Sequence, residues 1–104
     1  MSQSKLPLPY DSVPDWESDG IRLRRTFAFA SFPAAIDFVN RVAELAERLD
    51  HHPEIEIHWR TVVLECTSHD TGRLTRRDFA LANAIDVLWS TAQGTSTPEP
   101  GRDS

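Results

Sequence analysis

The chain carries four histidines, and three of them, His51, His52 and His69, fall at the expected ends of secondary-structure elements rather than on apolar faces. Imidazole titrates near pH ~6.5, so it can both give and accept a proton at neutral pH, and two or three rings converging on one cleft suit an acid–base elimination or hydration. Glu47 lies four residues before His51, a spacing that puts both on one helical face, where the carboxylate can orient the ring or serve as a surface partner. The plainer reading of His51-His52 is a cationic pair favouring the negative end of a helix by roughly 0.3–1 kcal/mol. His58 sits on the polar phase of a strand and is expected to be exposed and uninvolved.

Three histidines and a carboxylate are also sufficient ligands for zinc. Adjacent His51 and His52 diverge, however, and the lone Cys66 stands in mid-strand, so no metal is expected. Asp78 has a structural role as the partner of Thr75 in a capping box, and its place shortly after the His69 turn also lets it reach a catalytic group. Trp59 reads as core or pocket wall. Arg60 and Arg73 can hold an acidic ligand, but nothing in the pattern prefers that to solvent.

These residues need elements to position them. Asp19-Gly20 favours a two-residue hairpin turn between a short strand around Trp16 and a half-buried strand over residues 21–29, where Ile21, Leu23, Arg25, Phe27 and Phe29 share one side. Ser31 is a plausible N-cap and Pro33 fits the first helical turn. From there Ala35, Phe38, Val39, Val42, Ala43, Leu45, Ala46 and Leu49 recur at three- and four-residue spacing, predicting an amphipathic helix of about 18 residues that Pro53 must end. Ile55, Ile57 and Trp59 alternate with polar residues in a third strand, residues 62–68 form a fourth, and 70–73 make a turn. Leu74, Thr75, Asp78 and Phe79 combine a capping box with a hydrophobic staple and open a last helix, to about Thr91. The order strand, strand, helix, strand, strand, helix predicts an α+β domain: a four-stranded antiparallel sheet with two, at most three, helices on one face.

At 104 residues the chain is one domain, expected over residues 15–93, between an extended proline-rich arm (1–14) and a disordered tail (94–104). The net charge of −5 argues against a phosphate-backbone binder, and Arg22, Arg24 and Arg25 read as the solvated face of a strand, so no nucleic-acid partner is expected. No apolar run approaches the ~20 residues that cross a bilayer. The start lacks a basic-then-apolar leader pattern and there is one cysteine, which fits a soluble protein of a reducing, cytoplasmic compartment.

Glu47, His51-His52-Pro53-Glu54, Trp59, Ser68-His69-Asp70, Gly72, Leu74-Thr75 and Asp78 with Leu81-Ala82 together resemble the pterin-4a-carbinolamine dehydratase family, over roughly residues 16–88 and including Arg24-x-x-Phe27-x-Phe29. The resemblance implies four antiparallel strands covered by helices on one side. It also implies dehydration of 4a-hydroxytetrahydropterin to quinonoid dihydropterin, in recycling of the pterin cofactor, without a metal or organic cofactor. Position by position it makes His51 and His69 the acid–base pair, with His52 also in the catalytic set. It places His52 and Pro53 at the pterin-binding corner, makes Glu47 and Asp78 supporting carboxylates, and brings Ser68, Asp70 and Thr71 to the pterin with Trp59 nearby. The implied partners are the pterin, further copies of the chain in a homo-dimer or tetramer, and a pterin-dependent aromatic amino acid hydroxylase.

Three departures stand out. Ser68 replaces the usual Thr, Arg73 replaces the second Gly of Gly-Gly-Leu-Thr, and the family's N-terminal amphipathic helix has no counterpart in the proline-rich start. Relatives on this fold also serve as transcription dimerisation cofactors or enzyme assembly chaperones, so a non-catalytic binding module is the alternative.

Overall fold

The structure is a computed structural model that describes residues 8–68 and 70–95, with side chains as far as residue 91. The elements are β1 (Glu17–Ser18), β2 (Leu23–Ala28), α1 (Phe32–Leu49), β3 (Glu54–His58), β4 (Thr61–Cys66) and α2 (Arg76–Thr95), with one 3-10 turn at Tyr10–Ser12. The sheet order is β1-β2-β4-β3 and all neighbours are antiparallel. This is the α+β architecture expected from the element order.

Strand alternation decides what the sheet buries. Leu23 and Phe27 of β2 register against Cys66 and Val62 of β4, and with Leu64 all five are buried against Ala35, Phe38 and Val42 of α1 and Phe79, Ala82 and Ile85 of α2. Arg25 shares that side but is not solvated. Its guanidinium donates to Asp86 Oδ1 of α2 at 2.7 Å, which also accepts from the Trp16 indole at 2.8 Å, so a cation on an inward phase is paired rather than stranded. Arg24, on the opposite face, pairs with Glu65.

Ser31 caps α1, its hydroxyl accepting the Ala34 N–H, with Pro33 in the first turn. The helix stops before Pro53 requires it to. Asp50 adopts the left-handed conformation (φ 52°), its N–H reaches Glu47 O and the His51 N–H reaches Ala46 O, a Schellman ending.

Several expectations are corrected. Ser18 pairs with Leu23, so the β1–β2 loop runs through Asp19, Gly20, Ile21 and Arg22 and is not a two-residue turn. The Asp19 carboxylate accepts the N–H groups of Ile21 and Arg22, which holds its pKa below the usual carboxylate value and leaves Ile21 exposed outside the strand. The two-residue turn is instead Trp59-Arg60, between His58 and Thr61, with Trp59 at φ 58° and 80% exposed. Trp59 is therefore not core; its ring stands against that of Phe32. The N-terminal arm is not extended throughout: Val13 is buried and Tyr10, in the 3-10 turn, stands edge-on to Phe79, because these apolar residues complete the flank of α2. The arm's first seven residues, and the tail beyond Thr95, lie outside the described residues. Helix α2 runs through Gly94 to Thr95, past its expected end.

Cys66 is fully buried, and burial, reinforced by the negative charges of Asp78 and Asp86, pushes its thiol well above its ordinary 9.0. The neutral thiol's contribution to stability is complete below that ordinary value and drains away as pH rises past it. Near pH 8 the native protein should react with an aromatic disulfide reagent about 10² times more slowly than the denaturant-unfolded chain. Equal rates would contradict the burial.

Candidate active site

Three segments meet at one end of the sheet: the residues following α1, the exit of β4, and the first turn of α2. Asp78 is their hub. Its side chain is fully buried, and its two oxygens accept three bonds: His51 Nε2 to Oδ1 at 2.6 Å, and Ser68 Oγ (2.8 Å) and Thr75 N (3.0 Å) to Oδ2. The bond from Thr75 N is the reciprocal half of a capping box.

The directions of the surrounding bonds follow from valence. The Arg77 N–H donates to Thr75 Oγ1, and Ser68 spends its one hydroxyl proton on the carboxylate, so the Thr75 hydroxyl donates to Ser68 Oγ at 2.8 Å. A carboxylate receiving two protein donors on one oxygen accepts on the other as well. His51 Nε2 therefore carries a proton, and in the neutral ring Nδ1 holds the lone pair. Nδ1 has no partner among the described residues. The geometry is that of an orienting carboxylate behind an imidazole able to act as a base: Asp78 fixes the tautomer and can balance the charge of a ring that accepts its second proton at Nδ1.

The Schellman ending separates the two histidines. His51, its N–H bound to Ala46 O, turns inward and is 9% exposed; His52 turns out, and its Nε2 lies 2.6 Å from Glu47 Oε2. The expected Glu47–His51 meeting is thus corrected. The left-handed Asp50 breaks the helical phase, so Glu47 serves His52 and the partner of His51 is Asp78. Pro53 follows, half-buried, and leads into β3.

Asp50, His51, His52, Thr67, Asp70 and Arg77 line a hollow of about 280 Å³ beside these groups. Ser68 lies beneath it, and Ser68 O accepts the N–H groups of Thr71 and Gly72, shaping the loop that follows. Thr71 is exposed on that loop. His69 lies outside the described residues. Trp59 is not at this end: β3 intervenes, and at ~3.3 Å per residue its five positions separate Trp59 from His52 by roughly 15 Å or more. His58, also at the far end, is exposed beside Glu56. Among the described residues no group of three or more His, Cys, Asp or Glu side chains is gathered to hold a metal ion. A larger cavity, between the outer flanks of α1 and α2 around Leu45, Val87 and Leu88, holds no histidine.

Sequence reasoning passed over Arg77, Thr67 and Asp50 as wall residues. The Arg77–Asp70 pair spans seven positions across a turn, a distance at which no helical or strand periodicity applies; the change of charge sign was the only signal available.

Comparison with known proteins identifies the family. The family profile described as pterin 4 alpha carbinolamine dehydratase matches residues 1–88. A protein of Nocardia farcinica (strain IFM 10152), provisionally named pterin-4-alpha-carbinolamine dehydratase, is 47% identical over 88 residues, covering 85% of this chain and 93% of the relative. One from Chloroflexus aggregans, with the same provisional name, is 53% identical over 89 residues, covering 85% and 95%. Among solved structures, a transcriptional coactivator/pterin dehydratase from Brucella melitensis superposes with a TM-score of 0.72 at 27% identity, over 85% of this chain and 96% of that one. A pterin dehydratase-like RuBisCO assembly factor of the alpha-carboxysome shares the fold, at TM-score 0.58 and 23% identity over 70% and 84% of the two chains. With a matching profile over most of its length and relatives near half identity, this chain belongs to the pterin 4 alpha carbinolamine dehydratase family.

Proposed function

We propose that the protein dehydrates 4a-hydroxytetrahydropterins to quinonoid dihydropterins by histidine acid–base catalysis. The observation that carries the reading is His51: a nearly buried imidazole at the edge of a hollow, with Nε2 committed to Asp78 and Nδ1 without a partner among the described residues. In the reaction the C4a–O bond breaks, the departing hydroxyl takes a proton and leaves as water, N5 gives up its proton, and N5=C4a forms. One group must act as acid and one as base. His51 and His69 fill these roles, with His52, steadied by Glu47, and Pro53 forming the corner that receives the ring. Ser68, Asp70 and Thr71 bound the pterin from the loop after β4. The reaction requires no metal or organic cofactor. The activity belongs to recycling of a hydroxylase's pterin cofactor in the cytoplasm, by a homo-oligomer.

The test is direct. Freshly generated 4a-hydroxytetrahydropterin should lose water faster with the protein than in buffer, followed by absorbance as the quinonoid product forms; no acceleration at micromolar protein would end the assignment. A second reading, as a protein-binding module, draws on the Brucella melitensis relative described as both coactivator and dehydratase. Stoichiometric capture of one protein partner without turnover would favour it.

A further inference from the structure

Of the six residues lining the hollow, two are tied to each other. Arg77 Nη2 donates to both carboxylate oxygens of Asp70, at 3.0 and 3.1 Å. Among the described residues the other bonds of Thr71 and Gly72 are local: their N–H groups to Ser68 O, and Thr71 Oγ1 to Ser68 O and Arg73 O. The guanidinium is thus the one described side chain that fastens Asp70 to a rigid element, the first turn of α2. Its neighbour in that turn, Asp78, fastens His51. One helical turn therefore fixes two walls of the hollow.

We propose that Arg77 is a positioning residue for substrate binding, holding the Asp70 carboxylate at the rim so that it accepts an N–H group of the bound heterocycle. The inference rests on the dehydratase reading above. A 2-amino-4-oxo pyrimidine ring offers an amino group and an adjacent ring N–H, either of which a carboxylate oxygen can accept. With the Arg77 nitrogen between its two oxygens, the Asp70 carboxylate keeps an outward lone pair on each, enough to accept one of these N–H groups. Without Arg77 the Asp70 side chain is free to leave the rim, and its charge stands uncompensated in a hollow that Asp50 also lines. Both partners are more than half exposed, with side-chain exposures of 52% and 67%, so solvent screens the pair and it contributes little to global stability. Its effect falls on placement, and so on binding.

The test uses the full chain, with affinity for the non-reacting probe 7,8-dihydrobiopterin and steady-state dehydration measured side by side. Arg77→Gln should raise both the probe's Kd and KM about tenfold, change kcat by less than about threefold, and shift Tm by no more than about 3 °C. Arg77→Lys, keeping the charge, should recover most of the affinity. Asp70→Asn should bind as weakly as Arg77→Gln, and the double variant no more weakly than either, because the pair acts as a unit. Wild-type affinity in Arg77→Gln, additive losses in the double variant, a fall confined to kcat, or a large loss of Tm would each overturn the proposal. If the wild-type chain neither binds the probe nor turns over, it is the dehydratase reading that fails.

Discussion

Asp78→Ala should destabilise the protein by at least about 3 kcal/mol, as removal of one member of a buried charged network does. For a domain of this size that lowers Tm by about 12–24 °C. The carboxylate is fully buried and accepts from His51, Ser68 and Thr75, so its removal strands three donors in space that excludes water. Asp78→Asn separates the structural part from the chemical one. Its amide oxygen can still accept from Ser68 Oγ and Thr75 N, and the loss of stability should be about 1–2 kcal/mol. Its amino group then faces His51 Nε2, which must become an acceptor, moving the ring proton to Nδ1. Turnover should fall about 10²-fold or more although the fold survives, because the lone pair now points the wrong way. Thermal unfolding and turnover of the two variants check this together. An alanine variant within 1 kcal/mol of wild type would mean that the network does not hold the site as described.

The same residues show why part of the site was legible in the sequence and part was not. Helix α1 could be read because its signals are local: Ser31, Pro33 and the apolar spacing to Leu49 act within a turn or two of where they stand. The start of α2 was legible for the same reason, and Asp78's reach back to Thr75 is a three-residue matter. Strand alternation placed Leu23 and Phe27 on one side of β2, the side that is buried. What failed was any inference carried across a break in backbone phase. Glu47 and His51 are four apart, but Asp50 in the left-handed conformation ends the helix between them, so the i,i+4 rule stops applying and His52 swings back over Glu47 instead. Trp59 kept the strand's alternation on paper, yet it occupies a turn, where side-chain direction follows φ and not the pleat. Asp19-Gly20 carried the preferred dipeptide for a tight turn, but the Asp19 carboxylate captured two N–H groups and opened a longer loop. The proline-rich start read as unstructured because prolines mark breaks; that Tyr10 and Val13 find apolar partners on α2 is a tertiary fact. The bond between His51 and Asp78 spans 27 positions and has no periodic signature; only the family motif, taken as a set, brings the two together.

Replacement of His51 should cost turnover about 10²–10⁴-fold, the usual worth of one positioned acid or base. Alanine alone would confound this, because it also leaves Asp78 with an empty acceptor in a buried place. His51→Gln is the cleaner variant: its amide N–H can still donate toward Asp78 Oδ1, so the fold should hold, while no group remains that can take a proton at neutral pH. Glutamine and alanine variants should therefore be equally slow although alanine is the less stable. His69→Ala should be slowed over the same range if it is the other member of the acid–base pair, about 10²–10⁴-fold. His52→Ala, which removes an exposed ring paired with Glu47, should lose far less, about tenfold at most. Dehydration rates of the four variants at equal folded concentration order the roles. A His51→Gln protein within threefold of wild type would place the proton transfer elsewhere. A His52→Ala protein slower than His51→Gln would move the chemistry from the buried ring, braced by a carboxylate, to the exposed one.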